Sequence, residues 1–183
     1  MEHLSRVVNI TTEWTQPKTM TRHFELGDGT RTFATLTFEK TFGSLGRAST
    51  ADGNFSLKRV GFFNPHITAR TEGAEEDVAT YHPRWTGSSG EFHFPGGRNY
   101  FLKTANFWAT RHEVSDAGGR IVITLQRGVE DSHLTDMFKS QARMDIDVSM
   151  RDNPDLPVLV LMLWYILILQ QSDHAGTAAT MPS

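Results

Sequence analysis

Cysteine is absent from all 183 residues. That removes disulfide scaffolds, thiol catalysis and cysteine-based zinc sites, and it suits a reducing cytoplasm. An excess of one charge sign is missing as well: 18 Lys and Arg against 21 Asp and Glu leave a net charge of −3. No global attraction to nucleic acid follows from that balance, so a nucleic-acid partner is not expected. The N-terminal stretch Met1–Thr12 lacks the basic-then-apolar layout of a secretory signal. A cytoplasmic protein is the expectation, with any membrane contact peripheral.

Signatures of catalysis are lacking too. Neither a Gly-x-Gly-x-x-Gly run nor a P-loop occurs. Gly87-Ser88-Ser89-Gly90 is too short for a nucleophile elbow and reads as a turn. His82, His93 and His112 show neither helical i, i+4 spacing nor a His-x-His strand pair, so packing or surface roles are expected for them. Glu75-Glu76-Asp77 reads as a solvated loop, and Asp131–Ser140 as a short helix or a loop without chemistry. The expectation is a non-enzyme with no cofactor and no metal. The oligomeric state is left open.

One long hydrophobic run is present. Val158–Leu169 is twelve residues without charge, Gly or Pro. As a helix it extends about 18 Å, short of the roughly 30 Å hydrocarbon core of a bilayer. Asp152 and Asp155 precede it, Gln170, Gln171 and Asp173 follow, and no Lys or Arg comes after Arg151. These flanks fit an anchor poorly. A helix apolar all round must be surrounded by protein. Asn153 and Pro154 suit an N-cap and first-turn pair, with Pro157 also in the first turn. The expected helix covers about 154–171.

Elsewhere the chain reads as short strands between turns. The candidates are Arg22–Leu26, Thr32–Glu39, Asn54–Phe62, His66–Thr71, Val78–Tyr81, Glu91–Phe94, Tyr100–Lys103, Phe107–Glu113, Ile121–Gln126 and Ala142–Met150. Asp28-Gly29, Asp52-Gly53, Gly96-Gly97 and Gly118-Gly119 supply turns. In the last candidate Met144, Ile146, Val148 and Met150 alternate with charged or polar residues, the mark of a half-buried antiparallel strand. Strands at this spacing indicate a sandwich or barrel, and a barrel has an interior to fill. The reading is mainly β: a closed antiparallel β-barrel of about 10–12 strands around a buried hydrophobic C-terminal helix. Residues 1–20 form an N-terminal segment, partly flexible, 21–172 the barrel, and 173–183 a flexible tail.

Three stretches resemble the tubby C-terminal-like superfamily, in particular its small members related to phospholipid scramblases and to plant LURP-one proteins. They are Phe55-Ser-Leu-Lys-Arg-Val-Gly-Phe-Phe63, Gly87-Ser-Ser-Gly-Glu-Phe-His-Phe-Pro-Gly-Gly-Arg-Asn-Tyr-Phe101, and Asn153-Pro-Asp-Leu-Pro followed by the run centred on Trp164-Tyr165. The resemblance covers roughly residues 20–172 and lies in their conjunction. It implies a closed antiparallel barrel around a near-C-terminal helix. It also implies interaction with phosphoinositides or phospholipids, membrane tethering and, in some members, transcription or proposed lipid scrambling. The chain lacks tubby's dense Lys and Arg strand and the proline-rich extension and cysteine cluster of scramblases.

Two basic stretches carry no acid. Asn54 to Arg70 holds Lys58, Arg59 and Arg70; Arg98 to His112 holds Arg98, Lys103 and Arg111, interleaved with Tyr100, Phe101, Phe107 and Trp108. Brought together by neighbouring strands, these six cations would suit lipid phosphates; the competing role is to protect outward strand faces and keep them soluble. The functional expectation is a binding protein that meets anionic phospholipid, phosphoinositide or a protein partner through them. Two alternatives are a scramblase-like protein anchored by residues 156–169, and a ligand carrier or enzyme with a pocket in the barrel.

Overall fold

Alternating side chains close the chain into a barrel with the apolar run inside. The computed structural model describes residues 1–18, 21–40, 43–84, 89–128 and 141–178. Gly87 and Ser88, the stretch Asp131–Ser140 and the end of the expected tail, 179–183, lie outside the described residues.

Among the described residues, twelve strands run in chain order: β1 (Thr12–Thr15), β2 (His23–Gly27), β3 (Thr32–Phe38), β4 (Gly46–Thr50), β5 (Gly53–Val60) and β6 (His66–Thr71). They continue as β7 (Ala79–Pro83), β8 (Ser89–Phe94), β9 (Arg98–Thr104), β10 (Arg111–Asp116), β11 (Ile121–Arg127) and β12 (Ala142–Ile146). Each pairs antiparallel with its sequence neighbours, and β1 pairs with β12 to close the barrel. Closure leaves no free sheet edge. The period of two sends Leu36, Leu57, Tyr81, Phe92, Leu102 and Leu125 inward, all buried.

The helix α1 (Leu156–Ala178) occupies the interior, and every side chain from Leu159 to Leu169 is buried. Trp164 stacks on Trp14 of β1 at 5.4 Å between ring centroids and meets Phe24 of β2 edge-on. Tyr165 stacks on Phe38 of β3 and donates its hydroxyl hydrogen bond to the Ser44 carbonyl. The expected barrel around a buried helix is therefore the observed one.

Several local expectations are corrected. The helix is 23 residues rather than about 18, because Gln170–Asp173 end the burial and not the helical backbone. Leu156–Asp173, with a mean hydropathy of 1.5, is long and apolar enough to cross a membrane, so the shortness argument fails; enclosure decides, with 78% of that stretch buried in the barrel. Asn153 does not cap the helix directly. Its Oδ1 accepts from the Asp155 N–H at 2.9 Å, and the Asp155 carbonyl takes the first helical bond, from Leu159.

The N-terminal segment contributes to the barrel. A 3₁₀ turn at Leu4–Val7 buries both of its end residues, and β1 completes the wall. β1 and β4 escaped the pattern because they are four and five residues long and carry few large apolar side chains. β12 stops at Ile146, where Asp147 accepts from the Ser149 N–H and caps a 3₁₀ turn at Val148–Met150. Phe62, Phe107 and Trp108, expected in strands, stand in loops.

His112 on β10 is 4% exposed. Burial, followed by the Arg127 charge, pushes its pKa down to about 4. The unfolded imidazole titrates near 6.5, so the native state refuses a proton that the unfolded chain accepts. Stability is complete above about pH 6.5 and falls as the pH drops toward 4, by up to about 3 kcal/mol. Urea midpoints measured across this window test the effect, and His112→Leu flattens the dependence. An unchanged slope in that variant excludes His112 as its source.

Candidate functional site

Antiparallel order sorts the loops into two rims. The chain leaves β1, β3, β5, β7, β9 and β11 at one rim and returns from β2, β4, β6, β8 and β10 at the other. Two ion pairs orient the helix between them. Arg98, at the start of β9, holds Asp155 beside the helix start, and Arg59, near the end of β5, holds Asp173 near its finish. The helix therefore starts at the lower rim and emerges at the upper one.

Four aromatic side chains project at the upper rim. Phe62 is 90% exposed, Phe63 97%, Phe107 92% and Trp108 79%. Each loop carries an edge-to-face pair, with centroids 5.1 Å apart in the first and 5.3 Å in the second. Both loops are built rather than slack. In the β5–β6 loop Gly61 sits at φ +85°, and a Cβ there would lie 2.6 Å from the Asn64 carbonyl oxygen, so the turn requires glycine. In the β9–β10 loop the Asn106 Oδ1 accepts from the backbone N–H groups of Thr110 and Arg111, while its Nδ2 donates to the Thr110 hydroxyl. That closure holds Ala109 at φ +53°, an unfavourable conformation for a residue with a Cβ. Two turns that keep their aromatic residues out of the core thus occur at one rim.

The six cations separate into two groups. Lys58, Arg59 and Arg70 stand on β5 and β6; Arg98 and Lys103 stand on β9 and Arg111 begins β10. Lys103 and Arg111 come together on the buried Glu113 carboxylate, at 3.0 and 3.1 Å, and the Lys103 hydrogen bond foremost holds that carboxyl below its usual range. Arg70 pairs with Asp77 at 2.6 Å. Arg98 grips Asp155 with two bonds of 2.7 and 2.9 Å at the lower rim, away from the aromatic loops. Arg59, on the inward phase of β5, reaches Asp173 at 2.6 Å across a cleft of about 310 Å³ at the barrel mouth. Lys58 alone of the six has no carboxylate within 4 Å among the described residues.

Among the described residues, charge differs between the rims. The described upper loops carry Lys18, Arg22, Lys40 and Arg84 against Glu39, whereas the lower β6–β7 loop alone carries Glu72, Glu75, Glu76 and Asp77. Among the described residues, no group of three or more His, Asp or Glu is placed to hold a metal ion.

Sequence reading named Phe107 and Trp108 beside the cations but passed over Phe62 and Phe63. Their signal was present: Phe62-Phe63 lies between Gly61 and Asn64-Pro65, residues that break strands and make turns. No family model, curated protein or solved structure matches the chain. The architecture in hand is a closed twelve-strand antiparallel barrel with one enclosed C-terminal helix.

Proposed function

We propose that this chain is a non-enzymatic binding protein of tubby-like fold that docks by its upper rim on an anionic membrane surface. The observation that carries the reading is the set of exposed aromatics, Phe62, Phe63, Phe107 and Trp108, on two built loops of one rim. Large aromatic residues favour the boundary between headgroups and acyl chains, where a ring is partly dehydrated. Four strand spacings separate the two loops, about 19 Å along the wall. Two separated projections suit a fluid surface that closes around each, whereas a protein partner would need a matching rigid relief. Lys58 and the upper-rim cations favour anionic lipid headgroups, and the acidic lower rim then faces away from the membrane.

In this reading membrane contact falls to loops and cations, because α1 already fills the barrel. The phospholipid contact implied by the family resemblance is consistent with it. The paired arginines contribute little net charge, so aromatic insertion supplies most of the affinity.

Sedimentation with vesicles of phosphatidylcholine and about 30% phosphatidylglycerol provides the test. The variant Phe62→Ser/Phe63→Ser/Phe107→Ser/Trp108→Ser binds at least about 100-fold more weakly, since even partial burial of four rings exceeds about 3 kcal/mol. Its melting temperature stays within a few degrees, because these side chains lie outside the core. Undiminished vesicle binding by this variant overturns the proposal.

A further inference from the structure

Between the two basic stretches lie β7 and β8, and their outer face carries histidines. His66 at the start of β6 and His82 of β7 flank the paired Ile67 and Tyr81, and their rings stack 5.2 Å apart and 9° from parallel. His82 in turn meets His93 of β8, edge-on at 5.3 Å. The three imidazoles form a ladder across three adjacent strands, half-buried on the outer wall. It begins beside the first aromatic loop: His66 Nδ1 lies 3.3 Å from the Asn64 carbonyl oxygen of that loop.

The charged neighbours of the ladder come from every strand around it. Lys58 stands on β5, diagonal to His66, and Arg70 on β6 is already paired with Asp77. Arg84 follows β7 and binds Glu91 of β8 at 2.6 Å. Glu91 lies opposite His82 in the register and 4.0 Å from His93 Nε2. On β9, Lys103 is held by Glu113, and the Asn99 side chain bonds His93 Nδ1. Glu91 is thus the acid in contact with the ladder among the described residues, and Arg84 engages it. Neutral imidazoles leave the two basic groups separate. Protonated ones fill the gap, extending from Lys58 on β5 to Lys103 on β9 directly below the aromatic loops.

Resting on the docking reading above, we propose that the His66–His82–His93 ladder makes membrane attachment acid-dependent: its protonation fuses the two cationic stretches into one face beneath the aromatic loops. Histidine is the side chain suited to this, since its charge changes between about pH 5 and 8. Burial foremost, and then the charges of His66 and His93, hold the pKa of His82 below its ordinary value. A proton on either neighbouring ring thus repels one on His82. An anionic surface opposes that repulsion and draws protons onto the ladder, so attachment and protonation reinforce one another.

Vesicle sedimentation of the full chain at about pH 7.5 and about pH 5.5 separates the two claims. Phosphatidylglycerol keeps its charge over this interval, so a change in affinity belongs to the protein. Each cation added near such a surface is worth roughly fivefold in affinity. Two added charges therefore raise binding about 25-fold on acidification. The variant His66→Gln/His82→Gln/His93→Gln keeps the affinity at the higher pH and loses the gain, and pure phosphatidylcholine vesicles show no gain with either protein. Near-ultraviolet circular dichroism at the lower pH verifies that both proteins remain folded. Equal wild-type affinity at both pH values, or a gain retained by the triple variant, overturns the ladder and leaves the docking reading standing. Absence of wild-type binding at both pH values overturns the docking reading and the ladder with it.

Discussion

Deletion of residues 156–169 abolishes the cooperative melting transition. These residues supply the filling of the barrel: from Leu159 to Leu169 no side chain exceeds 5% exposure. Burying each large apolar side chain contributes about 1.5–3 kcal/mol, and a dozen of them exceed the roughly 5–15 kcal/mol net stability of a domain. A twelve-strand wall without its helix would enclose a void or admit water, and neither preserves packing. Trp164→Ala is the graded form of the same experiment. It removes the ring stacked on Trp14 and edge-on to Phe24, and costs about 3–5 kcal/mol. Differential scanning calorimetry reads the deletion and urea unfolding reads the substitution. A retained cooperative melt in the deletion would show that the wall stands without the helix.

Arg98→Met costs about 3 kcal/mol or more, and more than Asp155→Asn. The asymmetry follows from burial. Asp155 is 4% exposed, whereas the Arg98 side chain is 48% exposed and has access to water. Removing the arginine strands a buried carboxylate, which keeps the Tyr100 hydroxyl at 3.1 Å and the favourable field of the helix N-terminus as partial compensation. Removing the carboxylate charge leaves a guanidinium that solvent stabilises, at about 1–2 kcal/mol. Urea midpoints of the two single variants and the double variant give the coupling. Equal costs for both singles, or costs below about 0.5 kcal/mol, would make this an ordinary surface pair. The contact matters because it joins the helix start to the wall through Arg98, Tyr100 and Asn153 together.

The cations show where sequence reading reached its limit. Arg98 and Arg59 stand in stretches without acids, yet their partners Asp155 and Asp173 lie 57 and 114 positions further along the chain. An acid-free stretch reports only local neighbours, whereas a barrel wall supplies neighbours from the next strand and from the enclosed helix. Ion pairing is consequently a property of register. The histidines make the same point in reverse. His66, His82 and His93 are 16 and 11 residues apart, with no motif spacing between them, and antiparallel register places them ring to ring.

Strand recognition followed side-chain size. β3, β6 and β11, each carrying several large apolar or β-branched residues, were legible nearly to the residue. β4, Gly46-Arg-Ala-Ser-Thr50, was not, because its inward positions are the small Gly46 and Ala48 and the polar Thr50. The structure shows the reason for small residues: a Cβ on Gly46 would lie 3.2 Å from the Tyr165 ring, so the wall thins where the helix carries an aromatic. That pairing of small with large cannot be read until the helix is in place.

By itself the sequence determined the class of this protein. An uncharged apolar run needs enclosure, alternating strands need a second face, and the physical chemistry of burial joins the two into a filled barrel. Only the tertiary structure decided how long the helix runs, which cations are neutralised, and that four aromatic residues share one rim. Hydrophobic burial depends on local composition and pattern, so it is legible along the chain. Ion pairs, ring contacts and the grouping of loops depend on strand register and direction, which exist only once the barrel has closed.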